Sequence, residues 1–242
     1  MTIVNGGRTN YGQPIGILML DTVFPRIPGD VGNAFTFDFP VRYLKVEGAN
    51  PKRVVQEADP SLLEPFIAAA RQLEAEGCQA ISTSCGFLVM FQKELADAVS
   101  VPVLTSSLLQ VPFVGRFLGN KKKVGIITAR ACNLTEKHFR GAGIEEILPI
   151  SGMEDCPTFN TSISNNQPTM DVAAVEAEIV GVAQKFVQDH PEVGAIVFEC
   201  TNMPPYAAAV QQAVGLPVYD ITTLIRYTVG AQLRSPFVSK TM

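Results

Sequence analysis

The sequence lacks the charge patterns and long apolar runs by which proteins bind nucleic acid or cross membranes. Charged residues make up only 17% of the 242 residues, and the net charge is −4. The single short basic run, residues 121–123, is typical of a solvated lead-in to a strand, so the composition argues against nucleic acid as a partner. No apolar run is long enough to span a bilayer and the N-terminal segment has no signal-peptide pattern, so we expect a cytoplasmic protein.

The sequence is also poor in residues that hold metals and cofactors. Its five cysteines include no Cys-x-x-Cys pair, and its two histidines, His138 and His190, are not spaced as ligands. These spacings argue against a zinc site. There is no glycine-rich phosphate loop and no lysine in a recognisable cofactor context, so we expect a protein that needs no metal, PLP or nucleotide.

Apolar residues, by contrast, make up 47% of the chain, in short runs separated by helical patterns. The runs lack polar alternation, which is typical of parallel strands buried on both faces. Residues 59–76, ending before Gly77, and residues 171–189 show helical spacing of apolar side chains. Strands that alternate with helices predict an α/β fold. The six predicted strands are residues 15–20, 79–83, 101–105, 124–128, 195–199 and 216–220.

Residues 77–109 align without a gap with residues 192–224, so the chain contains an internal repeat. Each segment has the order strand, cysteine, helix, strand, and an earlier strand also pairs, Gly16-Ile17 with Gly125-Ile126. The repeat predicts two similar lobes that face each other. Eight pairs of residues are identical: Ala80 and Ala195, Ile81 and Ile196, Cys85 and Cys200, Ala98 and Ala213, Val99 and Val214, Pro102 and Pro217, Val103 and Val218, Leu109 and Leu224.

Cys85 and Cys200 each follow a strand at the point where a helix is predicted to begin. Ligands of parallel α/β sheets gather at this end of the strands, and the N–H groups and dipole of a helix start favour a thiolate or a carboxylate. A single cysteine here is more typical of packing, but two cysteines at matching points of a repeat favour a functional pair. Cys78, Cys132 and Cys156 have no such partner and are predicted to be structural.

Two polar loops and one carboxylate lie near the predicted site. Residues 21–33, rich in proline and glycine, are expected to form a shaped loop or lid, and residues 155–169 a second polar loop. Arg26 in the first loop either anchors a second substrate carboxylate or, as is commoner, is solvated. Glu199 either tunes the adjacent Cys200 thiol or, as strand alternation favours, points its side chain away from that of Cys200.

The segments STSCGF and FECTNMPPY, with IGILMLDT near the start, resemble the Asp/Glu racemase superfamily. This superfamily includes aspartate, glutamate and hydantoin racemases, with maleate isomerase and arylmalonate decarboxylase as relatives. The resemblance covers nearly the whole chain and implies two pseudo-symmetric lobes, each a parallel sheet flanked by helices, with the active site in the cleft between them. The first lobe is expected over residues 1–117, with residues 223–242 returning to it, and the second over residues 118–222.

The resemblance implies a racemase without a cofactor, in which Cys85 and Cys200 move a proton at the acidic carbon of an amino acid, a related carboxylate or a hydantoin. Racemases usually continue with Asn-Thr after the first cysteine, and Gly86-Phe87 here predicts a more apolar pocket. Asp21 and Thr128 are alternatively a turn cap and a helix cap. The substrate-binding residues implied by the resemblance are Asp21, Ser84, Gly86, Phe87, Thr128, Thr201 and Asn202.

Three other interpretations remain open. A maleate-type cis-trans isomerase would use the same two cysteines, and Cys200-Thr201-Asn202-Met203 is similar to that branch. The decarboxylase branch keeps only one of the two cysteines. A non-enzymatic two-lobed binding protein would need neither. In each case we expect a small-molecule ligand, two free thiols rather than a disulfide, and a homodimer or higher homo-oligomer.

Overall fold

The computed structural model describes residues 3–236, which form two sheets of four strands each. Every pair of neighbouring strands is parallel. The first sheet has the order β2-β1-β3-β4, with β1 (Ile15–Met19), β2 (Val41–Lys45), β3 (Ile81–Thr83) and β4 (Val103–Leu104). The second has the equivalent order β6-β5-β7-β8, with β5 (Lys123–Thr128), β6 (Ile150–Gly152), β7 (Val193–Phe198) and β8 (Val218–Tyr219). The predicted α/β class with two parallel-sheet lobes is confirmed.

Helices flank both sheets, and the two helices predicted from the sequence are present. Gly77 ends the first with a left-handed backbone (φ 100°), and the Asp171 side chain caps the second by accepting a hydrogen bond from the Ala174 N–H. The helices are α1 (Leu63–Glu76), α2 (Gln92–Ala98), α3 (Val111–Leu118), α4 (Glu136–Gly141), α5 (Pro157–Phe159), α6 (Val172–Asp189), α7 (Ala207–Val214) and α8 (Ile221–Gln232).

The internal repeat corresponds to a structural repeat. All six predicted strands are present, and the two that were not predicted, β2 and β6, occupy the same edge position in their sheets. Gly16 in β1 and Gly125 in β5 are equivalent, and each allows a helix to pack closely on the sheet. An added Cβ would lie 2.8 Å from a Leu73 methyl carbon at Gly16 and 2.5 Å from the Phe186 ring at Gly125.

The helix that follows each half of the repeat packs on the other sheet. Val114 of α3 lies in a core cluster with Val124 and Ile126 of β5. Ile225 of α8 lies in a cluster with Ile17 of β1. The C-terminal segment thus contacts the first sheet as far as α8, while residues 237–242, like residues 1–2, lie outside the described residues. The exact lobe boundaries and the homo-oligomer stay predictions.

Within residues 3–236, no helix is both long enough and apolar enough to cross a bilayer. The same residues bring no group of three or more histidine, cysteine, aspartate or glutamate side chains into an arrangement that could hold a metal ion.

Candidate active site

A cavity lies between the two sheets at the carboxyl ends of β1, β3, β5 and β7. Its empty volume, including the part that opens to solvent, is about 560 Å³. Because the strands of both sheets end here, the cavity receives residues from both halves of the repeat. Seven of the nine predicted site residues line it: Ser84, Cys85, Gly86, Phe87, Cys200, Thr201 and Asn202.

Cys85 lies between the end of β3 and a helical turn, Gly86–Phe91, and its backbone is extended. Its side chain is only partly exposed, and burial raises the pKa of the thiol, as does the nearby carboxylate of Glu199. A hydrogen bond from the Phe87 N–H and the charge of Arg26 act on this pKa in the opposite direction, without cancelling the rise. Cys85 is thus a protonated thiol with two groups placed to stabilise its thiolate.

Cys200 occupies the equivalent place after β7 and is buried. Its thiol donates a hydrogen bond to Oδ1 of Asn202 at 3.6 Å. Burial raises its pKa well above the ordinary value, and the charges of Glu199, Cys85 and Asp30 raise it further, against a hydrogen bond from the Asn202 N–H. More negative charge therefore acts on Cys200 than on Cys85. Neither cysteine forms a disulfide within the described residues.

Thr201 and Ser84, two of the predicted substrate-binding residues, use their hydroxyl groups in hydrogen bonds within the protein. The Thr201 hydroxyl donates to the Ser84 carbonyl oxygen at 2.6 Å, joining the two cysteine turns. The Ser84 hydroxyl accepts a hydrogen bond from the Leu20 N–H at 2.9 Å. These hydroxyls fix the walls of the cavity, so we assign their residues a positioning role.

Asp21 and Thr128 do not line the cavity, and their binding of a substrate stays a prediction. The Asp21 side chain is half-exposed and pairs with Lys45 at 3.4 Å. Thr128, the last residue of β5, is buried and donates a hydrogen bond to Oε2 of Glu199 at 2.6 Å. Its hydroxyl serves this carboxyl group and caps no helix.

Glu199 is the site residue that strand alternation missed. It lines the cavity, is only 1% exposed, and its charge raises the pKa of both thiols. Alternation fails because β7 ends at Phe198, one residue earlier. Oε1 of Glu199 has no hydrogen-bond partner among the described residues. Burial raises the pKa of the carboxyl to about 7, against the hydrogen bond from Thr128.

Gly86 leaves room for this carboxyl group. An added Cβ at Gly86 would lie 2.3 Å from Oε1 of Glu199 and 2.4 Å from the Glu199 carbonyl oxygen. Any larger residue would have to move the carboxylate or the backbone that carries it. Racemases usually have Asn where this chain has Gly86. The Glu199 side chain occupies the space that a larger residue at position 86 would need.

The loop of residues 21–33 lies at the cavity and is tied to Cys200. The Arg26 guanidinium donates to Oδ1 of Asp30 at 2.7 Å and lies 4.6 Å above the Phe24 ring. Its side chain is only 12% exposed, so the solvated alternative is wrong. The Asn202 side chain donates to Oδ2 of the same Asp30 at 2.7 Å.

The second polar loop is partly helical, which corrects the prediction for residues 155–169. It contains α5 and a further turn, Asn160–Ser164, in which Phe159 and Ile163 are buried. Ile163 and Ser164 line the cavity. Arg130, just after β5, also lines it and supplies a second guanidinium.

Comparison with known proteins places the chain in a family. The profile of Asp/Glu/hydantoin racemases matches residues 114–225. A dimethylsulfoniopropionate lyase of Durusdinium sp. clade D is 33% identical over 215 residues, which cover 85% of this chain and 70% of that protein. The chain belongs to the family of this lyase, and its residues 114–225 match the Asp/Glu/hydantoin racemase family. This is a family of enzymes, and the resemblance noted in the sequence is confirmed.

Solved structures of an allantoin racemase and of arylmalonate decarboxylase share the fold at low sequence identity. Allantoin racemase from Klebsiella pneumoniae superimposes with a TM-score of 0.63 at 11% identity, covering 90% of this chain and 89% of that chain. The Gly74Cys mutant of arylmalonate decarboxylase superimposes with a TM-score of 0.61 at 17% identity, covering 91% and 94%. At these identities the likeness concerns the architecture alone.

Proposed function

We propose that this protein is a lyase that cleaves dimethylsulfoniopropionate or a closely similar cationic carboxylate by elimination. The observation that carries the proposal is the buried carboxyl group of Glu199, which lines the same cavity as two thiols and has one oxygen without a partner in the described part of the chain. A buried carboxylate without a counter-ion favours a ligand that brings a positive charge. The similarity to a dimethylsulfoniopropionate lyase supports the identity of that ligand.

The charges around the cavity favour a zwitterion over a dicarboxylate. Aspartate and glutamate carry one ammonium and two carboxylates, so each would bring a net negative charge into a cavity that already contains Glu199 and lies near Asp30. Dimethylsulfoniopropionate carries one carboxylate and one sulfonium cation. We assign its carboxylate to the guanidinium groups of Arg26 and Arg130, and its sulfonium to Glu199 and the apolar lining that includes Phe24.

The reaction needs one base and a good leaving group. The α carbon of the substrate is acidified by its carboxylate, and the sulfonium is attached to the β carbon. A thiolate takes a proton from the α carbon, the electron pair of that C–H bond forms the carbon–carbon double bond, and the bond from the β carbon to sulfur breaks. Neutral dimethyl sulfide and acrylate leave, and the protonated thiol returns its proton to solvent.

We assign the base to Cys85. The Phe87 N–H and the Arg26 charge favour its thiolate, whereas Cys200 is surrounded by more negative charge. The Cys200 proton is already directed at Asn202. Cys200 therefore remains a thiol during elimination and forms the opposite wall of the site.

The pair of cysteines favours a second candidate function, a two-base racemase or isomerase. In that reaction one thiolate removes the proton and the thiol on the other face supplies a new one. Both cysteines line one cavity, as this mechanism requires. Under it, an amino-acid or hydantoin substrate would exchange its α proton with solvent and lose no sulfide.

One assay separates the two candidates. The purified protein is incubated with dimethylsulfoniopropionate, and headspace dimethyl sulfide and acrylate are measured. Aspartate, glutamate and substituted hydantoins, and then maleate, are incubated in deuterated water and examined for label, inversion or fumarate. We expect equal amounts of sulfide and acrylate. Racemisation without sulfide release would overturn the lyase proposal in favour of the second candidate.

A further inference from the structure

We infer that the positive charge of the substrate generates the reactive thiolate of Cys85 by offsetting the negative charge of Glu199. The inference rests on the proposed function only in requiring a cationic substrate. It assigns Glu199 a regulatory role toward the thiol, in addition to binding. In the empty site burial and the Glu199 carboxylate together keep Cys85 protonated, and the cation offsets the second of these two effects.

The carboxyl group of Glu199 lies between Thr128 and Gly86. Glu199 contributes one oxygen to a hydrogen bond with Thr128, and its other oxygen is buried beside Gly86 without a partner among residues 3–236. It forms no ion pair with an arginine or lysine in that part of the chain. Above about pH 7, where this carboxyl group is ionised, its charge is therefore not cancelled by a cation of the described residues.

The other charged side chains around the cavity are Asp30, Arg26 and Arg130. Asp30 adds a negative charge near Cys200, but its carboxylate is bound by Arg26 and Asn202. Arg130, the other cation on the cavity wall, is 3.4 Å from Oδ1 of Asn133, to which it donates. Glu199 is thus the one acidic group of the cavity wall that no described cation pairs with.

The charge of Glu199 acts on Cys85, because both residues line the same cavity. A carboxylate and a thiolate in the same buried cavity repel each other strongly, because little water screens them. The charge of Glu199 raises the pKa of both thiols, and in each case only burial raises it more. A cation held beside Glu199 opposes this field and so lowers the pKa of Cys85, although burial still raises it. More of the thiol can then ionise and act as the base, and each thiol that ionises releases one proton to solvent.

This arrangement has two consequences. Cys85 remains a thiol, and so resists alkylation and oxidation, while the site is empty. A ligand of the right shape but without a positive charge would bind without generating the base. Charge, more than shape, then determines which ligands are processed.

The test uses two ligands of the same shape that differ in charge. The cationic ligand is 3-(trimethylammonio)propionate, and its neutral-tailed counterpart is 4,4-dimethylpentanoate, in which carbon replaces the ammonium nitrogen. Proton release on binding is measured by titration calorimetry in two buffers of different ionisation enthalpy, slightly above neutral pH. Thiolate ultraviolet absorbance is followed in parallel.

We expect the cationic ligand to release more protons than the neutral-tailed ligand and to raise thiolate absorbance, which the neutral-tailed ligand should leave unchanged. Cys85→Ser should abolish the rise in absorbance, which separates ionisation of the thiol from ionisation of Glu199 itself. Glu199→Gln should remove the difference between the two ligands, whereas Glu176→Gln, at an exposed position on α6, should preserve it. Equal proton release on binding of the two ligands, or no proton release with the cationic ligand, overturns the inference. This comparison uses the unmodified protein and does not depend on whether a variant folds.

The outcome is separate from that of the proposed function. Proton release is measured without turnover, so it can occur in a protein that does not cleave dimethylsulfoniopropionate. In that case the inference stands for another cationic substrate and the lyase proposal fails. Cleavage of dimethylsulfoniopropionate with no ligand-dependent proton release would contradict the inference alone.

Discussion

Asn202 donates a hydrogen bond of 2.7 Å to Asp30, and this contact joins the turn that carries Cys200 to the loop of residues 21–33. The other carboxylate oxygen of Asp30 accepts from Arg26 at 2.7 Å. One buried carboxylate thus orients both the partner of the Cys200 thiol and a guanidinium on the cavity wall. The loop is part of the site and is held there by charge.

Asp30→Asn is expected to lower the free energy of unfolding by about 3 kcal/mol, because it leaves the largely buried guanidinium of Arg26 without its counter-charge. Urea unfolding followed by circular dichroism measures this loss. Asp97→Asn is the matched control, because the Asp97 carboxylate pairs with Lys93 on the surface. Similar effects of the two substitutions would mean that the loop is not held by this ion pair.

The two cysteines should differ in their effect on elimination. Cys85→Ser removes the assigned base and should reduce kcat/KM for sulfide release by about 1,000-fold, whereas Cys200→Ser should cost clearly less. Ala96→Ser, which introduces a serine at an exposed position on α2, is the control and should retain full activity. Equal losses at both positions would favour the two-base candidate, and the measurement is initial-rate release of dimethyl sulfide.

Much of the fold could be predicted because buried parallel strands have a distinct pattern. β1, β3, β5 and β7 are almost wholly buried and stand out as apolar runs. The edge strand β2, with the sequence VRYLK, is partly exposed and carries two charges, so it lacks that pattern. β6 is three residues long and partly buried throughout. Edge strands are defined by pairing across the sheet, which the local sequence does not encode.

The candidate site was predictable where the repeat identified it and not elsewhere. Cys85 and Cys200 meet because equivalent strand ends face one cavity. Glu199 was missed because the alternation rule was applied one residue beyond the end of β7. Arg26 was expected in solvent because its partner Asp30 is recognised only when the loop folds back on Asn202. The sequence signal for Glu199 was an acidic residue directly between an apolar strand and a cysteine.

Gly86→Ala should impair the site although it adds a single methyl group. The new Cβ would lie 2.3 Å from Oε1 of Glu199, so the carboxylate or the Cys85 turn must move. We expect a loss of activity of at least about 10-fold, since small displacements of reacting groups are costly. The control is Gly181→Ala in α6, where an added Cβ meets nothing within 4 Å. That variant should be as active as the parent and slightly more stable. Unchanged activity in Gly86→Ala would show that the Glu199 position is not critical.

The titration of Glu199 should appear in the pH dependence of stability. Burial raises the pKa of this carboxyl from 4.5 to about 7 in the folded protein. A raised pKa means that the protonated form is favoured by folding, so the stabilisation is fully present below pH 4.5 and is lost as the pH rises through about 7. The free energy of unfolding, compared with that of Glu199→Gln, should therefore fall by about 3 kcal/mol between these limits. Urea unfolding of both proteins across this range measures the difference, and Glu176→Gln serves as a control whose difference from the parent should stay constant. If the free energy of unfolding of Glu199→Gln also differed from that of the parent by a constant amount, the Glu199 carboxyl would titrate as it does in water. It would then not be a buried charge that a cation could offset.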